Sequence, residues 1–333
     1  MKAFYQTTGL KVFCGLLGKT RQAFYEHQWR ADQHALDEGL VIDLVRRQRE
    51  DTPGAGGRKL LHLLENQWQK HGIQLGRDQF FALLRRNELL IRRRKKYATT
   101  TDSRHWLKKH PNLAAELKVD RAEQLWVSDI TYISTGSKFG YLVLITDAYS
   151  RKIVGHEFSK SLNAAFCVNA LQVALSSRQY PQRSLMHHSD RGIQYCSQAY
   201  VNALEKHSCS ISMTQNGDPY ENALAERVNG ILKQEWRLDQ TFDSFEQAQE
   251  AIEKAIYHYN HSRPHASCDY HTPVNAHQLH GALKKRWKPK SKNKSISIFN
   301  INSVDRLFGH NFVKPPQDYF LNCKVPQGLS LNL

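Results

Sequence analysis

The sequence has six cysteines, Cys14, Cys167, Cys196, Cys209, Cys268 and Cys323, but no Cys-x-x-Cys pair. Zinc-knuckle spacing is therefore absent, and the thiols read as reduced. No apolar run approaches the length of about 20 residues that crosses a bilayer. The opening "MKAFYQTTGL" lacks the apolar region of a signal peptide. Together these absences predict a cytoplasmic protein without a membrane span or a zinc knuckle.

Acidic residues are scarce at both ends. Residues 1–98 hold 19 Lys/Arg against 10 Asp/Glu, and residues 282–333 hold 10 against 2. Residues 116–281 reverse the balance, with 15 against 18. The whole chain carries a formal charge of +16 over 333 residues. Two basic flanks around a mildly acidic centre suit a polyanion held at the flanks, with carboxylates at work between them.

The first flank reads as helical. "VFCGLLGKTRQAFYEH" (12–27) has helical spacing interrupted by Gly18, which makes a helix-turn-helix candidate presenting Lys19, Arg21 and Gln22. "ALDEGLVIDLVRRQRE" (35–50), "RKLLHLLENQWQKHG" (58–72) and "GRDQFFALLRRNELL" (76–90) read as three further helices, the last opening with Arg77 and Asp78. The run Arg92, Arg93, Arg94, Lys95, Lys96 follows and suits a phosphate-contacting arm.

From residue 124 the period changes. Strands are predicted over 124–134, 139–150, 151–159, 184–190 and 211–215, and helices over 161–178, 197–208, 221–236 and 244–265. The first three strands, joined by short turns, form an antiparallel meander. The order β-β-β-α-β-α-β-α-α is that of an α/β, ribonuclease-H-like fold.

Three carboxylates stand out on that frame. Asp129 lies within the first strand, Asp190 ends the fourth, and Glu226 lies in the helix after the fifth. If the first and fourth strands are neighbours, both aspartates reach one edge, and the helix can bring Glu226 to them. Converging carboxylates repel unless cations neutralise them. All-oxygen donors without a suitable His or Cys set point to Mg²⁺ or Mn²⁺, and two such ions can clamp the attacking and leaving oxygens of a phosphodiester. Asn222, Asn229, Gly230 and Lys233 share the helix face of Glu226. Gly230 would let a DNA backbone come close, and Asn229 and Lys233 are candidates for DNA contact. Asp147 is expected to be structural, paired with Arg151. His187 and His188 are expected to be packed, and Asp218 and Glu221 to serve turn and cap roles. For Arg263 and His265 two roles stay open, orienting the last helix or contacting DNA.

"WVSDITYI", "YLVLITDAYSRKIVG", "HHSDRGIQY", "SMTQNGDPYENALAERVNGILKQE" and "YNHSRPH" together resemble the integrase-type transposases of bacterial insertion sequences. More narrowly, they resemble the second-reading-frame product of copy-out, paste-in elements. The 35 residues between Asp190 and Glu226 match the spacing of that family's Asp-Asp-Glu triad. The resemblance covers roughly residues 12 to 280. It implies an integrase core that cuts and joins DNA at element ends, with Asp129, Asp190 and Glu226 as catalytic metal ligands and Lys233 near the DNA end. It also implies at least a dimer on DNA, a nucleoid-associated location, and an upstream-frame helix-turn-helix protein as partner or fusion.

The expected organisation is a helix-turn-helix-like segment (1–34), a second helical DNA-binding module with a basic exit (35–98), a linker (99–118), the catalytic core (119–281) and a basic extension (282–333). A hydrolysis-only nuclease of the same fold and a non-catalytic DNA-binding repressor are the alternative functions.

Overall fold

The computed structural model describes residues 9–91, 106–136, 138–215, 221–284 and 286. Helix α1 (Leu10–Leu16) ends at Gly18, whose φ of 64° turns the chain. Helix α2 (Arg21–Asp51) then starts at Thr20, whose side-chain oxygen accepts the Ala23 amide at 3.0 Å. The sequence predicts two helices here, with a segment boundary at 34/35. The structure has one 31-residue helix running through that position. Residues 28–34 contain neither glycine nor proline, and Gln33 to Asp37 (3.0 Å) ties the expected gap to the next turn. The helix ends where Pro53 forbids continuation.

The second half of α2 buries Val41, Ile42 and Val45. They pack on Leu60, Leu64 and Trp68 of α3 (Gly57–Lys70) and on Phe80, Leu83 and Leu84 of α4 (Arg77–Arg86). The first half of α2 leaves Tyr25, Trp29 and Leu36 exposed.

The sheet contains β1 (Leu125–Thr135), β2 (Lys138–Asp147), β3 (Ile153–Ser159), β4 (Met186–Ser189), β5 (Ser210–Met213) and the two-residue β6 (Thr241–Phe242). Its order is β3-β2-β1-β4-β5, with β6 against β1. The pairs β1/β2 and β2/β3 are antiparallel, as the short turns predict, whereas β1/β4 and β4/β5 are parallel. Parallel neighbours require crossover helices, supplied by α5 (Ala164–Ser176) and α6 (Gln198–Lys206). These two bury Phe166, Leu171 and Tyr200 against Trp126 and Ile145 on one face. Helices α7 (Ala223–Glu235) and α8 (Phe245–His261) bury Val228, Leu232, Ile252 and Tyr259 against Ile133, Leu142 and Leu144 on the other. Among the described residues no helix is long and apolar enough to cross a membrane.

A buried polar network fastens α9 (Pro273–His277) to the start of this sheet. Asp147 accepts the Glu123 amide (2.7 Å) and both the amide and hydroxyl of Ser150 (2.8 and 2.7 Å). His277 Nδ1 lies 2.9 Å from the Ser150 hydroxyl. Asp147 is structural, but its partners correct the expected pairing with the Arg151 side chain. Arg151 sits at a φ of 68° and donates instead to the Ser267 hydroxyl at 3.3 Å.

The "TPGAGG" loop and α3 meet the end of α7. Lys59 Nζ lies 2.7 Å from Glu235 Oε1, and Trp236 Nε1 donates to the Asp51 carbonyl at 3.1 Å. Arg263 grips the same carboxylate with two bonds of 2.7 Å, so "YNHSRPH" orients the C-terminal end of α7. A Cβ on Gly54 would stand 2.4 Å from Glu235 Cα. Gly54→Ala should therefore pry the loop from α7, at a cost of about 1–3 kcal/mol. Limited proteolysis should show faster cleavage within 51–57 and an unchanged cleavage pattern beyond residue 125.

Candidate active site

The parallel register pairs Leu125 with Met186, Trp126 with His187 and Val127 with His188. Continued two residues further, the same offset sets Asp129 beside Asp190. Asp129 is half-buried within β1, opposite Leu144 of β2. Asp190 stands one residue past β4, and its Oδ1 accepts the Gly192 amide at 2.9 Å. That bond starts the turn away from the sheet, so a strand-end aspartate serves here both as turn former and as projecting carboxylate.

Helix α7 is pinned over this edge by two asparagines seven residues apart. Asn222 Nδ2 donates to the Ser128 carbonyl at 3.0 Å, and Asn229 Nδ2 donates to Asp129 Oδ2 at 2.8 Å. Both are buried, and the side-chain oxygen of each has no protein partner. Asn229 was expected on DNA, but the structure turns it inward to hold the Asp129 carboxylate. Glu226, midway between the two asparagines, is exposed. Burial, then the neighbouring Asp190, push the Asp129 carboxyl up to about 7, with a smaller push from Glu226. Asn229 and the Ile130 amide pull the other way. Burial is the larger cause at Asp129, and the like charge of Asp190 adds to it. Among the described residues, no three His, Cys, Asp or Glu side chains stand close enough together to hold a metal ion as placed. Glu226 is exposed and, as placed, does not close a three-carboxylate group with the aspartates.

Lys233 is half-buried two turns beyond Glu226. Burial lowers its pKa, while Asp129 and then Asp239 raise it. Burial prevails, and Lys233 lies within the field of Asp129. Behind the site, the Ser128 and Tyr195 hydroxyls meet at 2.8 Å and fix β1 to the loop after Asp190. His187 and His188 are buried, on the Tyr200 hydroxyl and the Ser212 hydroxyl, each at 2.9 Å. Burial, then His188, push His187 down to about 3, a packed neutral ring as expected.

Lys19, Arg21 and Arg77 are exposed on the helical module, away from the carboxylates in sequence and element. Arg77 lies 2.9 Å from its neighbour Asp78. Arg92, Arg93 and Arg94, with Lys95 and Lys96, lie outside the described residues, as do Asp218 and the extension beyond 286. Glu221 accepts the Gln215 amide, the turn role expected of it. The signal for the two clamping asparagines was in the sequence, as a seven-residue spacing on one helix face. Their partners were not.

Two models described as "Integrase core domain" match the chain, one over residues 119–219 and one over 207–273. The chain is 31% identical over 258 residues to the insertion element IS600 uncharacterized 31 kDa protein of Shigella sonnei, covering 76% of this chain and 93% of that one. It is 33% identical over 272 residues to transposase InsF for insertion sequence IS3A of Escherichia coli K12, covering 78% and 90%. The chain belongs to the integrase-core transposases of bacterial insertion sequences. Its catalytic fold is that family's ribonuclease-H-like integrase core. The HTLV-2 integrase catalytic core domain, solved in complex with magnesium, is 20% identical with a TM-score of 0.38, covering 47% of this chain and 97% of that one. Membership of the transposase family brings the class of function, DNA transposition and integration.

Proposed function

We propose that Asp129, Asp190 and Glu226 form the centre that cuts and joins DNA at the ends of an insertion sequence. The observation that supports this most is the parallel pairing of β1 with β4, whose offset carried on past Val127 and His188 brings Asp129 level with Asp190, under a helix clamped to the same strand and carrying Glu226. The donor set is all oxygen, and burial with the charge of Asp190 beside it raises the Asp129 carboxyl, a strain that divalent cations would relieve. The three carboxylates would hold Mg²⁺ or Mn²⁺, two ions per site, which when bound would activate an attacking oxygen and stabilise a departing one.

The chain's own residues supply position. Asn229 holds one Asp129 oxygen at 2.8 Å and the Ile130 amide holds the other at 3.0 Å, which fixes the plane of the carboxylate. The Gly192 amide orients Asp190. Lys233 would hold a phosphate beside the reacting one. In the first step water attacks a phosphodiester at the element end, and its P–O3′ bond breaks to free a 3′-hydroxyl. In the second, that hydroxyl attacks another phosphodiester, a new P–O bond forms, and the displaced 3′-oxygen leaves protonated. No covalent enzyme intermediate is needed.

The same proposal assigns DNA contact to Lys19, Arg21, Arg77 and the arm at Arg92, Arg93 and Arg94. It takes residues 119–281 as the catalytic core and the helices before it as DNA-binding modules, with α2 spanning the 34/35 boundary. Two element ends must be brought together, so the working form is at least a dimer on DNA. A bacterial cytoplasmic, nucleoid-associated site of action and help from an upstream-frame protein belong to this reading too.

The test is joining of a labelled duplex that carries the terminal repeat and a pre-cut 3′-hydroxyl, with Mg²⁺ or Mn²⁺. Joined products are expected. Nicking of uncut ends without joining would make the protein a hydrolytic nuclease, and binding with neither would make it a repressor.

A further inference from the structure

Gly230 lies inside α7, one turn beyond Glu226 and three residues before Lys233. Glycine in a helix interior lowers helix stability through its backbone entropy. Two structural causes commonly keep a glycine in such a place, and neither holds here. Gly230 is not at positive φ, and a Cβ built on it meets nothing within 4 Å. Gly155 shows the contrast, since its Cβ would stand 2.4 Å from the Ala170 carbonyl oxygen. The residues flanking Gly230 are committed elsewhere, Asn229 to Asp129 and Ile231 to the core. The gap therefore opens on the stretch of helix surface between Glu226 and Lys233.

We propose that Gly230 is a clearance for the DNA backbone, a positioning residue that lets a phosphodiester strand cross α7 against bare Cα. Resting on the DNA-cleaving reading above, it explains how one strand meets both the carboxylates and Lys233. A methyl at this position would lift the strand by about 1.5 Å, the length of a C–C bond. Displacement of about 1 Å can cost up to about a hundredfold in a positioned reaction.

The experiment compares wild type, Gly230→Ala, Gly230→Leu and the control Gly39→Ala. Gly39 lies in α2, and its Cβ would also meet nothing within 4 Å. Both alanine variants should melt about 2–4 °C higher than wild type. Gly39→Ala, in a helix assigned above to a DNA-binding module, serves as the melting-temperature control alone. Gly230→Ala should join pre-cut ends at least about tenfold less well, through a raised apparent KM for the duplex, and Gly230→Leu less well still. A merely structural role would lower the melting temperature and leave that KM alone. Gly230→Ala that is more stable and joins DNA like wild type at every duplex concentration overturns the clearance. If the wild type neither nicks nor joins, the cleavage reading fails, and metal-free fluorescence anisotropy on the same duplex decides the clearance alone. Weaker binding by Gly230→Ala supports it, and equal binding overturns it.

Discussion

Asp190→Asn should yield a protein that is more stable without metal and inactive with it. The substitution keeps a side-chain oxygen for the Gly192 amide, which Asp190 now holds at 2.9 Å. It removes the charge that, after burial, does most to push the Asp129 carboxyl up. Relief of that repulsion is worth on the order of 1 kcal/mol in a half-buried pair. Thermal denaturation in EDTA should show a rise of about 2–4 °C. In wild type, millimolar Mg²⁺ or Mn²⁺ should raise the melting temperature by linkage. The variant should lose most of that rise, and DNA nicking and joining should fall by about a thousandfold or more. Unchanged metal stabilisation with lost activity would remove Asp190 from the metal centre while leaving it in the reaction.

Glu123→Ala should be the most destabilising of the substitutions considered, without touching the chemistry. Glu123 is 1% exposed and carries the Arg178 guanidinium (3.1 Å) and the amides of Gln179 (2.6 Å) and Tyr180 (3.1 Å). His277 stands 3.6 Å away. Removing one member of such a set leaves buried charge uncompensated, at a cost of about 3–5 kcal/mol. A fall of roughly 10 °C in melting temperature follows for a domain of this size. Burial pushes the Glu123 carboxyl up, but His277, the two amides and Arg178 outweigh it and hold it at about 2. Its contribution is therefore full above the ordinary carboxylate range and is lost as pH falls toward 2. For His277, burial lowers the pKa, but Asp147 and Glu123 outweigh it and raise it. That contribution is present at acid pH and fades as pH rises past the ordinary imidazole range. Melting curves across pH should be flatter on both flanks in Glu123→Ala than in wild type. Parallel curves would show that the network does not carry the pH dependence.

The antiparallel meander was legible because its strands are long and its turns short. The positions of Asp129 within one strand and Asp190 at the end of its neighbour were legible because the pairing of those strands can be inferred, while the choice of Glu226 rested on the interval that the family resemblance supplies. What the sequence hid are pairings between distant segments. Nothing local to Lys59 points to Glu235, 176 residues away, nor does Arg151 reveal that its turn sends it to Ser267 instead of Asp147. Helix α2 was divided because its exposed half has no continuous apolar stripe, and periodicity finds only stripes. Asn229 was placed on the right helix face, but its bond to Asp129 was not foreseen, since a polar side chain beside a carboxylate reads like one beside a phosphate. The β6 strand is two residues long, below what alternation can register.

The most direct test of the three-carboxylate centre is Glu226→Gln beside wild type in the terminal-repeat assay, with Mg²⁺ or Mn²⁺ and both uncut and pre-cut ends. Glu226 is exposed, so the substitution should leave folding intact. Nicked and joined products from wild type alone, with equal duplex binding by both proteins, are the predicted result. Equal nicking and joining by Glu226→Gln would contradict it and leave the two aspartates to act without a third carboxylate at that position.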